Sequence, residues 1–97
     1  MNFRIHLGAT ILVIVTGVVV EISTVEWLFV IGCCMFVLTL ELLNTAIENL
    51  CDIVTEEYHP VIKIIKDIAA GAVLIGAIGS ALTGLIVFLP KIIHLIN

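Results

Sequence analysis

The sequence Glu41-Leu-Leu-Asn44-Thr-Ala-Ile-Glu48-Asn-Leu-Cys-Asp52 places three carboxylates and one amide in a segment that is otherwise apolar enough to cross a membrane. The polar positions are separated by three, four and four residues, and these intervals return to the same face of an α-helix. Charged side chains at membrane depth are costly and tend to be functional. We call these four side chains the acidic stripe, and they predict both a helix and a site.

The composition of the whole chain is that of an integral membrane protein. Of its 97 residues, 62% are hydrophobic and 12% are charged, whereas a soluble domain is about half apolar and about a quarter charged. The chain is too short for two domains, so we expect a single domain over residues 1–97. A net charge of −4, with only four Lys and Arg residues, does not favour a nucleic-acid partner.

Three apolar segments predict three transmembrane helices, over about residues 3–20, 26–53 and 61–95, in an all-α membrane fold. The first segment is short, since crossing a bilayer takes about 20 residues. A signal peptide is its alternative interpretation, although no suitable small-residue cleavage motif follows it. The short polar connection between the last two segments makes them antiparallel neighbours, and Pro60 suits the first turn of the third helix.

The few basic residues predict the orientation of these helices. Arg4, Lys63 and Lys66 fall on one side of the predicted bundle, and Lys91 falls on the other. An excess of Lys and Arg marks the cytoplasmic side. We therefore expect the N-terminus and the turn 54–60 to face the cytoplasm.

Small residues recur at every fourth position of the third helix, namely Ala72, Gly76, Ser80 and Gly84. Such spacing lets helix backbones approach closely in lipid, so it predicts a packing seam. A single chain of three thin helices would leave both this seam and the acidic stripe exposed. We therefore expect a homo-oligomer.

Helix geometry also predicts the depth of the acidic stripe. With Glu26 at the outer boundary and a rise of about 1.5 Å per residue, Glu41 lies about 22 Å inward and Glu48 about 33 Å inward. The hydrocarbon core is about 30 Å thick. Glu41 is then placed to meet a lipid hydroxyl, while Glu48 and Asp52 are placed to meet a soluble nucleotide.

The residue types in this region predict phosphoryl transfer. Folding the hairpin about residue 57 places Lys66 level with Glu48, and Asp67 one step further. Mg²⁺ takes one or two protein carboxylates and completes its shell with water and phosphate oxygens, lysine pairs with phosphate, and Glu41 suits a general base acting on an alcohol. Two other interpretations are a structural seam, in which Lys66 neutralises Glu48, and a small channel lined by the stripe.

The chain resembles the prokaryotic diacylglycerol kinase family, small trimeric membrane kinases with three transmembrane helices per subunit. The resemblance rests on the acidic stripe and on the motifs Glu57-Tyr58-His59-Pro60 and Lys66-Asp67-x-Ala-Ala-Gly-Ala-Val. The motifs Val25-Glu26-Trp27, His59-Pro60 and Phe88-Leu89-Pro90-Lys91 look closer to the Gram-positive branch, which resembles undecaprenol kinases. This implies a homotrimeric helical bundle in the bacterial cell membrane, with its active site at the cytoplasmic face.

The resemblance also implies a role for each matching residue. Glu41 would accept the proton of the lipid hydroxyl, and Ala70 would face the lipid headgroup. Glu48 would bind the Mg²⁺ ion that bridges the phosphates of ATP. Contacts with ATP would come from Glu57, Tyr58, His59, Lys66 and Asp67, and the site would be supported by Asn44 and Asp52.

Two further expectations concern histidines and the N-terminus. The residue pattern alone favours His59 as a turn residue before a helix, and His6 and His94 as residues of the membrane interface. Family members usually begin with an amphipathic surface helix that carries an arginine and a second metal-binding glutamate. No acidic residue precedes Glu21 in this sequence, so we expect a chain truncated relative to the family.

The expected function is ATP-dependent phosphorylation of a membrane lipid alcohol, with undecaprenol converted to undecaprenyl phosphate. Diacylglycerol kinase activity is one alternative, because both lipids present a primary hydroxyl at the interface. A truncated, inactive membrane oligomer is the other alternative.

Overall fold

The computed structural model describes residues 3–97, and these form three helices in an elongated bundle of 56 × 21 × 17 Å. The helices are α1 (Phe3–Val19), α2 (Thr24–Val54) and α3 (Pro60–Ile96). Their bounds differ from the predicted ones by at most two residues. Helices α2 and α3 are long and apolar enough to cross a membrane, whereas α1 is apolar but has only 17 residues.

Successive helices run antiparallel, and the two ends of the bundle are named here after their connections. The Ser23 end comprises residues 20–23, the start of α2 and the last turns of α3. The His59 end comprises residues 55–59, the end of α2 and the start of α3. Helix α1 packs on α2 from the Ser23 end toward the middle of the bundle.

A capping box begins α2 at the Ser23 end. Ser23 Oγ accepts a hydrogen bond from the backbone N–H of Glu26 at 3.2 Å, and Glu26 Oε1 accepts one from the backbone N–H of Ser23 at 2.9 Å. Lys91 Nζ of α3 lies 3.2 Å from the same Glu26 oxygen. The signal for this cap, Ser-x-x-Glu before an apolar run, is present in the sequence.

The end of α1 adopts a Schellman motif with a residue other than glycine in the left-handed position. Glu21 has a φ of 55°. Its N–H donates to the carbonyl of Val18 at 3.4 Å, and the N–H of Ile22 donates to the carbonyl of Gly17 at 3.2 Å. These two bonds satisfy carbonyls that the end of a helix leaves without partners, at the cost of a strained backbone at Glu21.

A cluster of apolar side chains packs beside this motif. Its buried members are Ile22, Val30 and Val87, and its partly buried members are Val13, Val20, Trp27, Cys34 and Phe88. Gly17 lets the Trp27 ring reach α1, because a Cβ at residue 17 would lie 2.8 Å from Trp27 Cη2.

The predicted seam of small residues is realised within one chain only at Gly76. A Cβ at this position would lie 2.6 Å from Leu40 Cδ1 of α2, so the missing side chain leaves room for Leu40 to pack against α3. Ala72 is exposed, and Ser80 and Gly84 line a cavity. The reason is geometric: each four-residue step turns about 40° around a helix of about 3.6 residues per turn, so the row leaves the contact.

Most large apolar side chains of the single chain are exposed. Ile53, Ile75 and Ile86 are 82%, 74% and 76% exposed, respectively. Contiguous apolar surface of this extent marks a contact with lipid or with other protein. The fold therefore places its apolar surface outside and its carboxylates in the stripe and at the two ends.

Candidate active site

One face of α2 carries the acidic stripe from the middle of the bundle to the His59 end. Glu41 is 2% exposed, Asn44 and Glu48 are half-buried, and Asp52 is exposed. Accessibility therefore rises along the stripe in the direction that helix geometry indicated.

The buried carboxylate of Glu41 faces a histidine of α1. Glu41 Oε2 lies 3.4 Å from His6 Nε2. The same oxygen is buried and makes no hydrogen bond with any group in residues 3–97. The interpretation of His6 as a residue of the membrane interface missed this contact. Pairing α1 with α2 about the turn at residue 22 would have placed His6 level with Leu38, less than one helical turn from Glu41.

The middle of the stripe contains an internal hydrogen bond. Asn44 Nδ2 donates to Glu48 Oε1 at 3.4 Å, and this bond holds the carboxylate from one side. Asn44 Oδ1 is buried without a hydrogen-bond partner within residues 3–97. In the same part of the chain, Glu48 forms no ion pair. The stripe thus keeps polar groups available to a partner from outside the chain.

Lys66 meets the acidic stripe as predicted, but its ion-pair partner is Asp52 rather than Glu48. Lys66 Nζ donates to Asp52 Oδ1 at 2.7 Å, one turn nearer to the connection than Glu48, so Glu48 is not the carboxylate that Lys66 neutralises by direct contact. The reason is the direction of the side chains, since each Cβ tilts toward the N-terminus of its helix. The long Lys66 side chain therefore extends toward the His59 end and meets the next acid.

Asp67 forms its ion pair within α3, although it lines the same groove as Asp52 of the acidic stripe. Its Oδ2 accepts a hydrogen bond from Lys63 Nζ at 2.6 Å, in a pair separated by four residues on α3. Residues at this spacing are neighbours on a helix surface. Lys63 therefore belongs to the site, although its position in the sequence predicted only the orientation of the chain.

The His59 end contains an open polar groove of about 460 Å³ between α2 and α3. Six predicted residues line it, namely Asp52, Glu57, Tyr58, His59, Lys66 and Asp67, together with Thr55, Glu56, Ile62 and Lys63. The lining carries four carboxylates and two lysines. This excess of negative charge favours a cation or a metal-bound nucleotide over a free anion.

The connection that forms the floor of this groove is held by two local hydrogen bonds. His59 caps α3, because its Nδ1 accepts from the backbone N–H of Val61 at 3.2 Å, with Pro60 in the first turn. The backbone N–H of Glu57 donates to Thr55 Oγ1 at 3.1 Å. His59 therefore acts as the turn residue that the residue pattern favoured, and it also lines the groove.

Other predicted site residues lie outside the groove. Glu41, Asn44 and Glu48 lie further along α2, and Ala70 is exposed on α3. A second cavity, of about 530 Å³ and mainly apolar, lies between the three helices, and its lining includes His6, Thr10, Ser80 and Phe88.

The carboxylates of the stripe fit Mg²⁺ held jointly with phosphate rather than by protein alone. Within residues 3–97, no three His, Cys, Asp or Glu side chains form a metal-ligand set. Mg²⁺ commonly takes only one or two protein carboxylates and leaves the other positions to water and phosphates. Glu48 offers such a carboxylate, half-buried and bound by a neutral amide.

Comparison with known proteins identifies the class to which this fold and site belong. The family described as prokaryotic diacylglycerol kinase matches residues 1–88. The undecaprenol kinase of Bacillus subtilis (strain 168) is 44% identical over 94% of this chain and 74% of its own length. The diacylglycerol kinase of Synechocystis is 38% identical over 97% of this chain and 54% of its own length. That of Escherichia coli K12 is 32% identical over 84% of this chain and 66% of its own length.

These matches define a membrane-bound lipid kinase that uses ATP. The chain belongs to the prokaryotic diacylglycerol kinase family. The resemblance seen in the acidic stripe and in the motifs around His59 is thereby confirmed.

Proposed function

We propose that this chain transfers the γ-phosphate of ATP to the hydroxyl of undecaprenol, yielding undecaprenyl phosphate and ADP. One observation carries the proposal: a buried carboxylate, Glu41, and an open polar groove lie along the same helix, α2. A base in apolar surroundings can meet a lipid hydroxyl, and the groove can hold a soluble nucleotide. Undecaprenol is preferred to diacylglycerol because the Bacillus relative is more similar to this chain than the two diacylglycerol kinases compared above.

The nucleotide would occupy the groove at the His59 end. Glu57, Tyr58, His59 and Asp67 line this groove and would contact ATP, while Lys66 would bind a phosphate. Lys66 would then exchange its Asp52 partner for a phosphate oxygen. The Lys66 and Asp52 side chains are 37% and 60% exposed, and exposed ion pairs contribute little stability, so this exchange is inexpensive.

Glu48 would hold Mg²⁺ together with the phosphates, and Asn44 would fix the other side of its carboxylate. Bound Mg²⁺ neutralises negative charge on the phosphates, which is the main requirement of phosphoryl transfer. The neighbouring groove has more carboxylates than lysines. This supports a role for Glu48 in metal binding, because a negatively charged groove favours a nucleotide that is bound to a cation.

Glu41 would be the general base. As the lipid oxygen bonds to the γ-phosphorus, the hydroxyl proton passes to Glu41. The bond from that phosphorus to the bridging oxygen breaks, and ADP leaves with the electron pair. Because Glu41 is buried, water is kept from a position where it could compete with the lipid alcohol. Ala70, exposed on α3, would face the lipid headgroup.

We further propose that α1 is a third span, that three chains form a homotrimer sharing the site, and that the site faces the cytoplasm of a bacterial cell. Seventeen residues span about 25 Å, close to the hydrocarbon thickness of about 30 Å. The exposed apolar surface and the polar groups without partners support assembly. The lysines of the groove, with Arg4, support the cytoplasmic orientation.

The test uses radiolabelled ATP and the purified, assembled chain in mixed micelles, with undecaprenol and diacylglycerol offered in parallel, with and without Mg²⁺. We expect Mg²⁺-dependent labelling of undecaprenol. Labelling of diacylglycerol alone would retain the chemistry and overturn the choice of substrate. Absence of label in both lipids would contradict the proposal and favour the inactive oligomer.

A further inference from the structure

Glu41 contacts α1 through His6, a residue that has no part in the proposed reaction. Glu41 Oε2 lies 3.4 Å from His6 Nε2, and the two side chains are 3% and 22% exposed. Each lysine that forms an ion pair within residues 3–97 has a different acid, namely Asp52, Asp67 or Glu26. In this part of the chain, His6 is therefore the basic group that contacts Glu41.

We propose that His6 is the positioning residue of the general base, an inference that rests on the proposed function. With its proton on Nε2, the imidazole donates a hydrogen bond to Glu41 Oε2. This fixes the carboxylate and leaves Oε1 to accept the proton of the lipid hydroxyl. His6 forms no bond with substrate in this role, and it acts through Glu41.

Burial makes such a donor necessary. An ionised carboxylate taken out of water is strongly destabilised unless hydrogen bonds or opposite charges compensate it. Glu41 Oε2 has no such bond in the free chain, and 3.4 Å is longer than a well-formed N–H···O bond. Catalytic hydrogen bonds are often long in free enzymes and shorten in the substrate complex. The geometry fits a donor that engages when the lipid arrives.

The backbone around His6 is regular, so its side chain is presented from a fixed place. His6 lies at the end of the first turn of α1, and its carbonyl accepts a hydrogen bond from Thr10 Oγ1 at 2.8 Å. The imidazole also lines the mainly apolar cavity between the three helices. It therefore borders that cavity and also contacts the buried carboxylate.

The test compares two substitutions of similar size that differ in hydrogen bonding. His6→Leu removes the donor, whereas His6→Gln retains an N–H donor at about the distance of Nε2. His94→Leu is the matched control, because His94 is an exposed histidine in the last turn of α3, at the Ser23 end. Each assembled variant is assayed for transfer from ATP to undecaprenol, with kcat and the KM for ATP measured separately.

We expect His6→Leu to lower kcat by about 10- to 100-fold, the effect of losing one hydrogen bond to a charged group. The KM for ATP should not change, since the groove does not include His6. His6→Gln should recover most of the lost kcat, and His94→Leu should match the wild type. A merely structural role would not produce recovery by Gln together with an unchanged KM.

Three results would overturn the role of His6. They are a wild-type kcat in His6→Leu, an equal loss in His6→Leu and His6→Gln, or a change confined to the KM for ATP. These results are distinguishable from failure of the proposed function. In that case the wild-type chain itself transfers no phosphate to either lipid, and the role of His6 falls with it.

Discussion

The two ends of the bundle satisfy their polar groups in different ways. At the Ser23 end, the capping box of Ser23 and Glu26 closes two hydrogen bonds, Lys91 pairs with the same carboxylate, and an apolar cluster fills the space between the helices. Toward the His59 end, buried oxygens of Glu41 and Asn44 have no hydrogen-bond partners within residues 3–97. Buried polar groups are almost always paired in folded proteins, so each exception calls for an explanation. The Ser23 end stabilises the fold, and the other half of the bundle is prepared for partners.

The largest expected effect is the loss of activity when Glu48 loses its charge. Glu48→Gln keeps the size of the side chain and can still bind Asn44, but it removes the proposed Mg²⁺ ligand. We expect kcat to fall by about 100- to 1,000-fold, the scale of losing one group that stabilises charge in a transition state. The measurement is transfer of labelled phosphate to undecaprenol over a range of Mg²⁺ concentrations.

Glu26→Gln is the matched control for this variant, since Glu26 is an acid of the same helix at the Ser23 end. It should leave kcat near the wild-type value. Full activity in Glu48→Gln at every Mg²⁺ concentration would show that Glu48 does not bind the metal. It would also weaken the view that one half of the bundle serves catalysis and the Ser23 end serves stability.

The second prediction concerns the two lysines of α3 that pair with acids on α2. Lys66→Met removes the proposed phosphate contact, and we expect the KM for ATP to rise about 10-fold, as for loss of a hydrogen bond to a charged group. Lys91→Met removes the pair with Glu26 at the Ser23 end and should leave the KM unchanged. Steady-state kinetics with varied ATP checks both variants, and equal effects would show that the ends do not differ as proposed.

The third prediction tests whether the Ser23 end stabilises the fold. Gly17→Ala brings a Cβ to 2.8 Å from Trp27 Cη2, and a rigid ring cannot move away without repacking. We expect a loss of about 1–3 kcal/mol in the free energy of unfolding, the range for overpacking. The measurement is denaturant unfolding of the chain in detergent.

Gly8→Ala is the control for this prediction, since no atom lies within 4 Å of the added Cβ and Gly8 is in the same helix. The better helix propensity of alanine should leave its stability unchanged or raise it by up to about 1 kcal/mol. If Gly17→Ala were as stable as Gly8→Ala, the close packing of Trp27 on α1 would be disproved.

The smallest expected effect is a gain in stability at Glu21. Glu21→Gly removes the strain of a φ of 55°, which costs about 1–2 kcal/mol for an L-residue. Glycine also increases the conformational entropy of the unfolded chain, and this reduces the gain in stability by about 0.4–1 kcal/mol. We expect a net gain between about 0 and about 1.6 kcal/mol in the same unfolding assay, with no change in kcat. A lower stability of Glu21→Gly would contradict the strained cap.

Much of the fold and part of the site follow from the sequence. The three helices were predictable because long apolar segments and a short polar connection allow few other arrangements in a membrane. The acidic stripe was predictable because intervals of three and four residues share a helix face. His59 as a turn residue before α3 followed from the adjacent Pro60.

The pairing of side chains between helices was not predictable to the same degree. A register counted in Cα positions placed Lys66 beside Glu48, but the tilt of side chains toward each helix N-terminus moved the contact to Asp52. The row of small residues predicted a packing seam, and within one chain Gly76 is the glycine of that row at which an added Cβ would meet α2.

The sequence by itself determined that this is an all-helical membrane protein, the order of its helices and which face of α2 carries the acids, because these depend on composition and local periodicity. Its motifs added the resemblance to the kinase family. Only the tertiary structure decided that His6 faces Glu41 and that Lys66 pairs with Asp52. Such contacts join residues of different helices. They depend on how the helices are aligned with one another and on the direction of each side chain, and the sequence of one helix does not give the alignment.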